Sequence, residues 1–382
     1  MKKQQLLIPV LIGLVTGQVF AEGDRPFSVV NTLRVGYSDN IDRSSDDKDG
    51  SAFIRDMVDL SFRAALSDRT DLIFKSRFDY RSDKDEDNLY PSLYAVLTHS
   101  VSQRMLLQLS DKFKSGEMTS RYGDGRFDYF ENTASLVSSY IMTPKDSLSV
   151  PVSYTIERHD NEIKEEDTDI IVAGVNWKRE LSPQRTWAAL NVNQILVDYT
   201  ERDSSFESTR LTAEISHTFN PEWQGNLEAG LSFDESDRGG LRGDSKGESP
   251  YLRAGLAYTP SPRTRLTGDF THQYKESDNS GYSAETSSEI RLGAQHDFTA
   301  KIMGKVTARF EKMDYDAGDT EDPVPVEEDE TIDRFDFDIR FHYKLNRINF
   351  LELGYRYTEK TYDTADTDWD ENMVDVGWRV EL

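Results

Sequence analysis

Cysteine is absent from the chain, and with it go disulfide frameworks, thiolate metal sites and thiol nucleophiles. Basic residues are in deficit: 45 Lys and Arg stand against 70 Asp and Glu, a net charge of −25. Nucleic acid is therefore excluded as a partner, because phosphate backbones require a basic surface. Histidine is scarce. His99, His159, His217, His272, His296 and His342 are scattered and form no short metal-ligand spacing, so no metal site is assigned. Gly239-Gly240-Leu241-Arg242-Gly243 follows no strand–helix pattern and is read as a loop, not a phosphate cradle. No nucleophile context stands out, so no catalytic residue, no enzyme activity and no cofactor is expected. Long apolar runs are missing too. The one apolar stretch, Leu6 to Val15, is broken by Pro9 and Gly13 and is too short to span a bilayer. It follows Lys2 and Lys3 and precedes Val19-Phe20-Ala21, the three-part pattern of a secretory signal peptide over 1–21. The remainder, 22–382, is read as a single domain.

What the chain does have is alternation. Leu72, Phe74, Phe78 and Tyr80 share one face of a strand, with Asp71, Lys75, Arg77, Asp79 and Arg81 on the other. Phe335, Phe337, Ile339, Phe341 and Tyr343 face away from Arg334, Asp336, Asp338, Arg340, His342 and Lys344 in the same way. A soluble sandwich does not explain this pattern in nearly every strand without a second buried layer. A closed membrane barrel does, because it needs only a thin apolar outer band. Four prolines keep time: Pro144, Pro183, Pro221 and Pro260 each mark a short polar turn, and longer acidic connections lie midway between them. Short turns at one end and long loops at the other are the pattern of a transmembrane β-barrel, with the short turns in the periplasm.

The alternation predicts about 18 strands, at 26–38, 52–66, 71–82, 89–101, 105–116, 127–141, 147–159, 167–180, 186–199, 206–219, 224–235, 249–259, 263–275, 284–298, 301–315, 331–345, 348–362 and 370–382. Sixteen is the runner-up, because 89–101 and 127–141 alternate poorly. A phase change near Gln194-Ile195 predicts a bulge. Aromatic girdles are expected from Tyr37, Tyr80, Tyr154, Tyr199, Tyr258, Tyr274, Tyr315, Tyr355 and Tyr357 toward the loop side, and from Trp187 and Trp223 near the short turns. His217, His272 and His296 fall on the lipid faces. The longest acidic connection, Asp316–Glu330, carries no basic residue and is the best place to seek an external function.

Pore-lining candidates are Arg34, Arg63, Lys75, Arg77, Lys112, Lys178, Arg210, Arg253, Arg291, Lys305, Arg309, Arg340, Arg356 and Arg379. Basic side chains outnumber acids on this wall, whereas acids dominate the loops, so the lumen is expected to favour anionic or sugar-acid solutes. A cross-strand ion-pair mesh that only supports the wall is the alternative reading of the same residues. Ser45-Asp46-Asp47-Lys48-Asp49-Gly50 places oxygen ligands before a glycine. An EF-hand needs Asp first and Glu twelfth, where this chain has Ser45 and Asp56, so a solvated loop is the reading and loose calcium bridging of lipopolysaccharide the alternative.

The final strand puts Val374, Val376, Trp378, Val380 and Leu382 on one face. This resembles the assembly signal of outer-membrane proteins, which usually end in Phe or Trp; Leu382 departs from that. At Leu33-Arg34-Val35-Gly36-Tyr37-Ser38-Asp39-Asn40-Ile41 the chain resembles the outer-membrane β-barrel porins called beta-barrel porin 2. The resemblance implies an outer-membrane barrel, in some relatives encoded with exopolysaccharide export systems, and no catalytic residues. The expected function is a porin-like channel for passive passage of small anionic or saccharide solutes. An exopolysaccharide export barrel, a structural or adhesive surface barrel and, last, a membrane-embedded hydrolase are the alternatives. Expected partners are outer-membrane lipid and lipopolysaccharide, the outer-membrane assembly machinery and polysaccharide-export components.

Overall fold

A backbone that crosses lipid in strands must pair every edge, which only a closed sheet achieves. The computed structural model describes residues 26–45, 48–83, 87–119, 126–160, 167–200, 204–237, 245–276, 284–316, 330–363 and 368–382. They form such a sheet. Eighteen antiparallel strands follow one another: β1 (Phe27–Ser38), β2 (Ser51–Ser67), β3 (Thr70–Ser82), β4 (Asp87–Ser100), β5 (Met105–Thr119), β6 (Arg126–Ile141), β7 (Asp146–Asp160), β8 (Thr168–Ser182), β9 (Thr186–Tyr199), β10 (Ser204–Asn220), β11 (Trp223–Asp237), β12 (Ser245–Ser261), β13 (Thr264–Glu276), β14 (Ala284–Asp297), β15 (Ile302–Asp316), β16 (Glu330–Lys344), β17 (Asn349–Tyr362) and β18 (Trp369–Glu381). Each pairs with the next, and β1 pairs with β18 to close the ring. The expected architecture and strand count hold, and the sixteen-strand alternative falls.

The strands are tilted. A hydrogen-bonded row that starts at Phe27 and Phe62, near the short-turn end, runs through Phe74, Ala95, Asp111, Ala134, Tyr154, Ile171 and Leu196 to Glu207 and Glu235, near the loop end. That climb is the stagger a barrel needs to close. Its outer face is apolar: Val376 is 57% exposed, Leu292 56% and Val35 53%. Such exposure would be costly in water and is the natural state of a lipid-facing wall.

Five of the short turns, those at Ser102, Thr143, Asn220, Thr299 and Asn346, share one device. A side-chain oxygen at the turn's start accepts backbone N–H groups two and three residues on. Asn220 Oδ1 accepts from Glu222 and Trp223 (2.8 and 2.9 Å), Thr299 Oγ1 from Lys301 and Ile302 (3.1 and 3.0 Å), and Asn346 Oδ1 from Ile348 and Asn349 (3.0 Å each). Those of them without proline thus use the same chemistry as the proline turn at Pro221.

Several details differ from expectation. No bulge lies at Gln194-Ile195: the register runs unbroken there on both sides. The phase change arises because Gln194 is a polar residue on the outer face, where its Oε1 accepts from Thr209 Oγ1 at 2.5 Å. The observed register shifts lie beside short turns, as at Ala65/Ser67, Glu180/Ser182 and Thr218/Asn220. Trp223 joins the periplasmic girdle, stacked on Tyr258 at 4.0 Å, so Tyr258 sits at the short-turn end and not the loop side. Trp187, Tyr199 and Tyr315 turn inward; the two tyrosines are buried, and Lys178 Nζ lies 3.8 Å above the Trp187 ring. The expected signal peptide, Asp46 and Asp47 of the acidic loop, and 317–329 of the longest loop lie outside the described residues.

The lumen as candidate functional site

The motif Gly36 to Ile41 forms the seam where the barrel closes. Gly36 faces inward, and a Cβ there would strike the Phe53 ring and, at 2.5 Å, the carbonyl of Val374 on β18. Beyond it, Ser38 Oγ donates to Glu371 Oε1 at 2.7 Å, and Asp39 accepts from the Asn372 backbone N–H and Nδ2 at 2.7 and 2.9 Å. Asn40 is fully buried; its Nδ2 donates to the carbonyls of Ser44 and Asp370, 2.9 Å each, and its Oδ1 accepts from Ser44 N at 3.0 Å. The first loop is thereby fastened to β18. At its crest Arg43 takes a positive φ of 54°. Its guanidinium reaches Glu371 at 3.3 Å and lies 5.6 Å from the Trp369 ring.

Below this loop lies a dense ion-pair wall. Glu352, its side chain only 1% exposed, meets Arg34 at 2.8 Å, His342 Nδ1 at 3.1 Å, Arg379 at 3.5 Å and Arg340 at 3.7 Å. Arg340 also grips Asp375 with two bonds of 2.7 and 2.8 Å. On the adjoining strands Arg309 bridges Glu289 (2.7 Å), Glu311 (2.6 Å) and Asp336 (3.6 Å), while Arg291 holds Glu289 and Arg334 holds Asp336. These groups border a lumenal cavity of about 600 Å³ whose lining includes Arg34, Arg43, Arg291, Arg309, Arg334, Arg340 and Arg356 against Asp269, Asp336 and Asp338. Arginines dominate the surface of this cavity, while Glu289, Glu311, Glu352, Glu371 and Asp375 pair with the same arginines, so the wall is rich in guanidiniums but close to balanced in charge. Toward the mouth, Met313, Tyr315, Ile332 and Tyr362 form an inward apolar cluster with Trp369 packed on it.

Halfway round the barrel the wall is made of hydroxyl and amide ladders that end on carboxylates. Asn176 donates to Asn191, whose Nδ2 donates to Thr212 Oγ1 and Glu228 Oε1 at 3.1 Å each; Thr212 closes the chain onto Glu228 at 2.6 Å. Above it Ser208, Ser232, Asp234 and Ser249 are joined by bonds of 2.8, 2.7 and 3.0 Å. Between the two walls, β2–β6 carry closed ion pairs: Arg55–Asp79, Arg77–Asp59 at 2.7 Å and Lys114–Glu131 at 2.7 Å.

Strand alternation places all fourteen sequence-predicted basic residues on the inward face, opposite the exposed apolar residues. The structure sorts them. Arg34, Arg291, Arg309, Arg340, Arg356 and Arg379 gather in the arginine wall. Arg77 and Lys112 are tied to Asp59 and Glu131. Lys178 and Arg210 lie over Trp187 and Tyr251, at 3.8 and 4.4 Å. Arg63, Lys75, Arg253 and Lys305 have no ion pair among the described residues. Most of the fourteen thus belong to an ion-pair mesh or a ring contact, and four lie outside it. Sequence reasoning missed Arg43, which lies on a loop without periodicity; the turn-forming Asp39-Asn40 was its only signal. It also missed the hydroxyl–amide ladders, because it weighed charges alone. At the carboxyl end, Trp378 faces outward with Nε1 donating to Asn349 Oδ1 at 3.0 Å, and Leu382 exchanges backbone bonds with Val29 at 2.8 and 3.2 Å.

Solved outer-membrane barrels share this form. The chain aligns with Pseudomonas aeruginosa OccK2 (OpdF) in complex with glucuronate at 13% identity and a TM-score of 0.52, covering 93% of this chain and 98% of that one. It aligns with the outer membrane protein opdK from Pseudomonas aeruginosa at 10% identity and 0.51, covering 93% and 99%. A structure of OpdK with vanillate gives 10% and 0.50, over the same shares. At such identities the likeness concerns the fold. No curated protein matches the chain. The family described as "Putative beta-barrel porin 2" matches residues 182–382, more than half of the sequence. The chain belongs to this family and is a porin-like channel barrel of the Gram-negative outer membrane.

Proposed function

We propose that the barrel passes small hydroxylated carboxylates, sugar acids above all, down their gradient. The observation that carries this reading is the arginine-lined cavity of about 600 Å³ beneath the first loop. Guanidiniums recognise carboxylates bidentately, and arginines already held by acids on their far side are pre-oriented to offer remaining N–H donors to a passing anion. The partial neutralisation matters: binding on a conduction path must be weak enough to release the solute. Lys305, which carries no ion pair among the described residues, continues the basic path. Glucuronate and vanillate, the compounds present in two of the barrels of similar fold, are both carboxylates.

The test is interruption of ion current through single barrels in a planar bilayer. Glucuronate should produce brief blockades at concentrations where glucose produces none. Replacing Arg43 and Arg356 by Gln should shorten them. Equal blockade by glucose and glucuronate would overturn the proposal.

A further inference from the structure

One arrangement recurs three times on the outer face at the short-turn end. Thr70, the first residue of β3, bonds His99 of β4 (Oγ1···Nδ1 2.9 Å). Thr186, first in β9, bonds His217 of β10, and Thr264, first in β13, bonds His296 of β14, both at 2.8 Å. In each case the two residues are direct cross-strand neighbours. Two of the rings are further fixed by an aromatic edge: Phe219 against His217 at 4.6 Å and Phe298 against His296 at 4.8 Å, both at 78°. The residue before each threonine is an arginine in the turn, Arg69, Arg185 or Arg263. All three are exposed and have no ion pair among the described residues.

The chemistry of such a corner is specific. With Nδ1 engaged by the threonine hydroxyl, the imidazole's remaining group is Nε2, which carries the proton when Nδ1 accepts from the hydroxyl. In that tautomer each ring offers an Nε2–H on the lipid side, and the residue before each threonine is an exposed arginine, where the apolar wall gives way to headgroups. In a chain of net charge −25 this is an unexpected place for free cations unless they meet anions. The short turns are periplasmic, so the adjoining headgroups are those of the inner leaflet. We propose that each Arg-Thr···His corner binds the phosphate of an anionic inner-leaflet phospholipid, the arginine supplying charge and the histidine a directed hydrogen bond. Three corners spread round the wall would fix the barrel's height and tilt in the membrane.

The experiment is native mass spectrometry of the full folded barrel titrated with phosphatidylglycerol, phosphatidylcholine and inorganic phosphate. Heat-modifiable gel migration establishes that each variant is folded. The wild type should prefer phosphatidylglycerol. R69Q/R185Q/R263Q should weaken that binding about fivefold per corner, the worth of one basic residue near an anionic surface. T70V/T186V/T264V, which leaves the charge and frees the rings, should also weaken it. R104Q/K145Q/R347Q removes three turn cations from corners that lack the Thr–His pair, and should weaken it clearly less. An equal loss in that control set would overturn the proposal in favour of a diffuse charged ring. So would displacement of the lipid by equimolar inorganic phosphate, or no preference for phosphatidylglycerol in the wild type.

Discussion

Replacing Glu352 by Gln should raise the barrel's preference for anions. Glu352 is the hub of the arginine wall, with Arg34, Arg340, Arg379 and His342 all within 3.7 Å of its carboxylate. Removing its charge leaves those cations partly compensated, because Arg340 keeps both bonds to Asp375 and Arg379 keeps Glu381 at 3.1 Å. The stability loss should therefore be about 2–3 kcal/mol, below the ~3–5 kcal/mol typical of breaking a buried ion pair outright. The lumen wall gains one effective positive charge. Taking roughly 10 Å from wall to pore axis and the dielectric of water, a unit charge shifts each permeating monovalent ion by about 0.4 kcal/mol, with opposite sign for anion and cation. The anion-to-cation permeability ratio should rise about fourfold at low salt. It should return close to the wild-type value near 1 M salt, where screening length shrinks to about 3 Å. The assay is the zero-current potential of single barrels under a potassium chloride gradient. A ratio that stays constant, or moves toward cations, would show that Glu352 does not face the conduction path.

Three further substitutions probe the seam and the wall. Gly36→Val places a side chain against Phe53 and the Val374 carbonyl, so β1 and β18 should fail to close and the heat-modifiable form should be lost on gels. Asn40→Ala removes the bonds to Ser44 and Asp370 and should cost about 1–3 kcal/mol in urea unfolding from vesicles, by leaving buried backbone groups unpaired. Leu292→Arg, on the 56% exposed lipid face, should destabilise the folded barrel by about 2–4 kcal/mol in the same assay. A neutral result there would contradict the assignment of that face to lipid.

Much of the barrel was legible because its physics is periodic. A strand that must be apolar outside and wet inside writes itself as alternation, so the strand at 186–199 falls on β9 as Thr186–Tyr199, and poorly alternating 89–101 is still a strand because Leu89, Pro91 and Leu93 keep the outer phase. What escaped is what has no period. Arg43 reaches the cavity through a loop conformation set by Asn40, and no spacing rule announces that. Gln194 looked like a slipped phase because an outward polar residue and a bulge give the same string; only the unbroken register with β8 and β10 separates them. Tyr199 and Tyr315 were read as girdle residues by type, whereas their parity puts them inside. Alternation assigns the charged residues to a face but does not sort them into paired and unpaired, since pairing depends on diagonal neighbours from strands distant in sequence, such as Arg34 with Glu352.

The central proposal is that the arginine-lined path of this acidic protein favours anions. The most direct measurement is the zero-current potential of the wild-type barrel in a planar bilayer, with dilute potassium chloride on one side and a more concentrated solution on the other. The arginine wall predicts a potential of the sign set by chloride, larger at low ionic strength and reduced when Arg43, Arg291 and Arg356 are replaced by Gln. A potential of the sign set by potassium, unaffected by those replacements, would contradict the account.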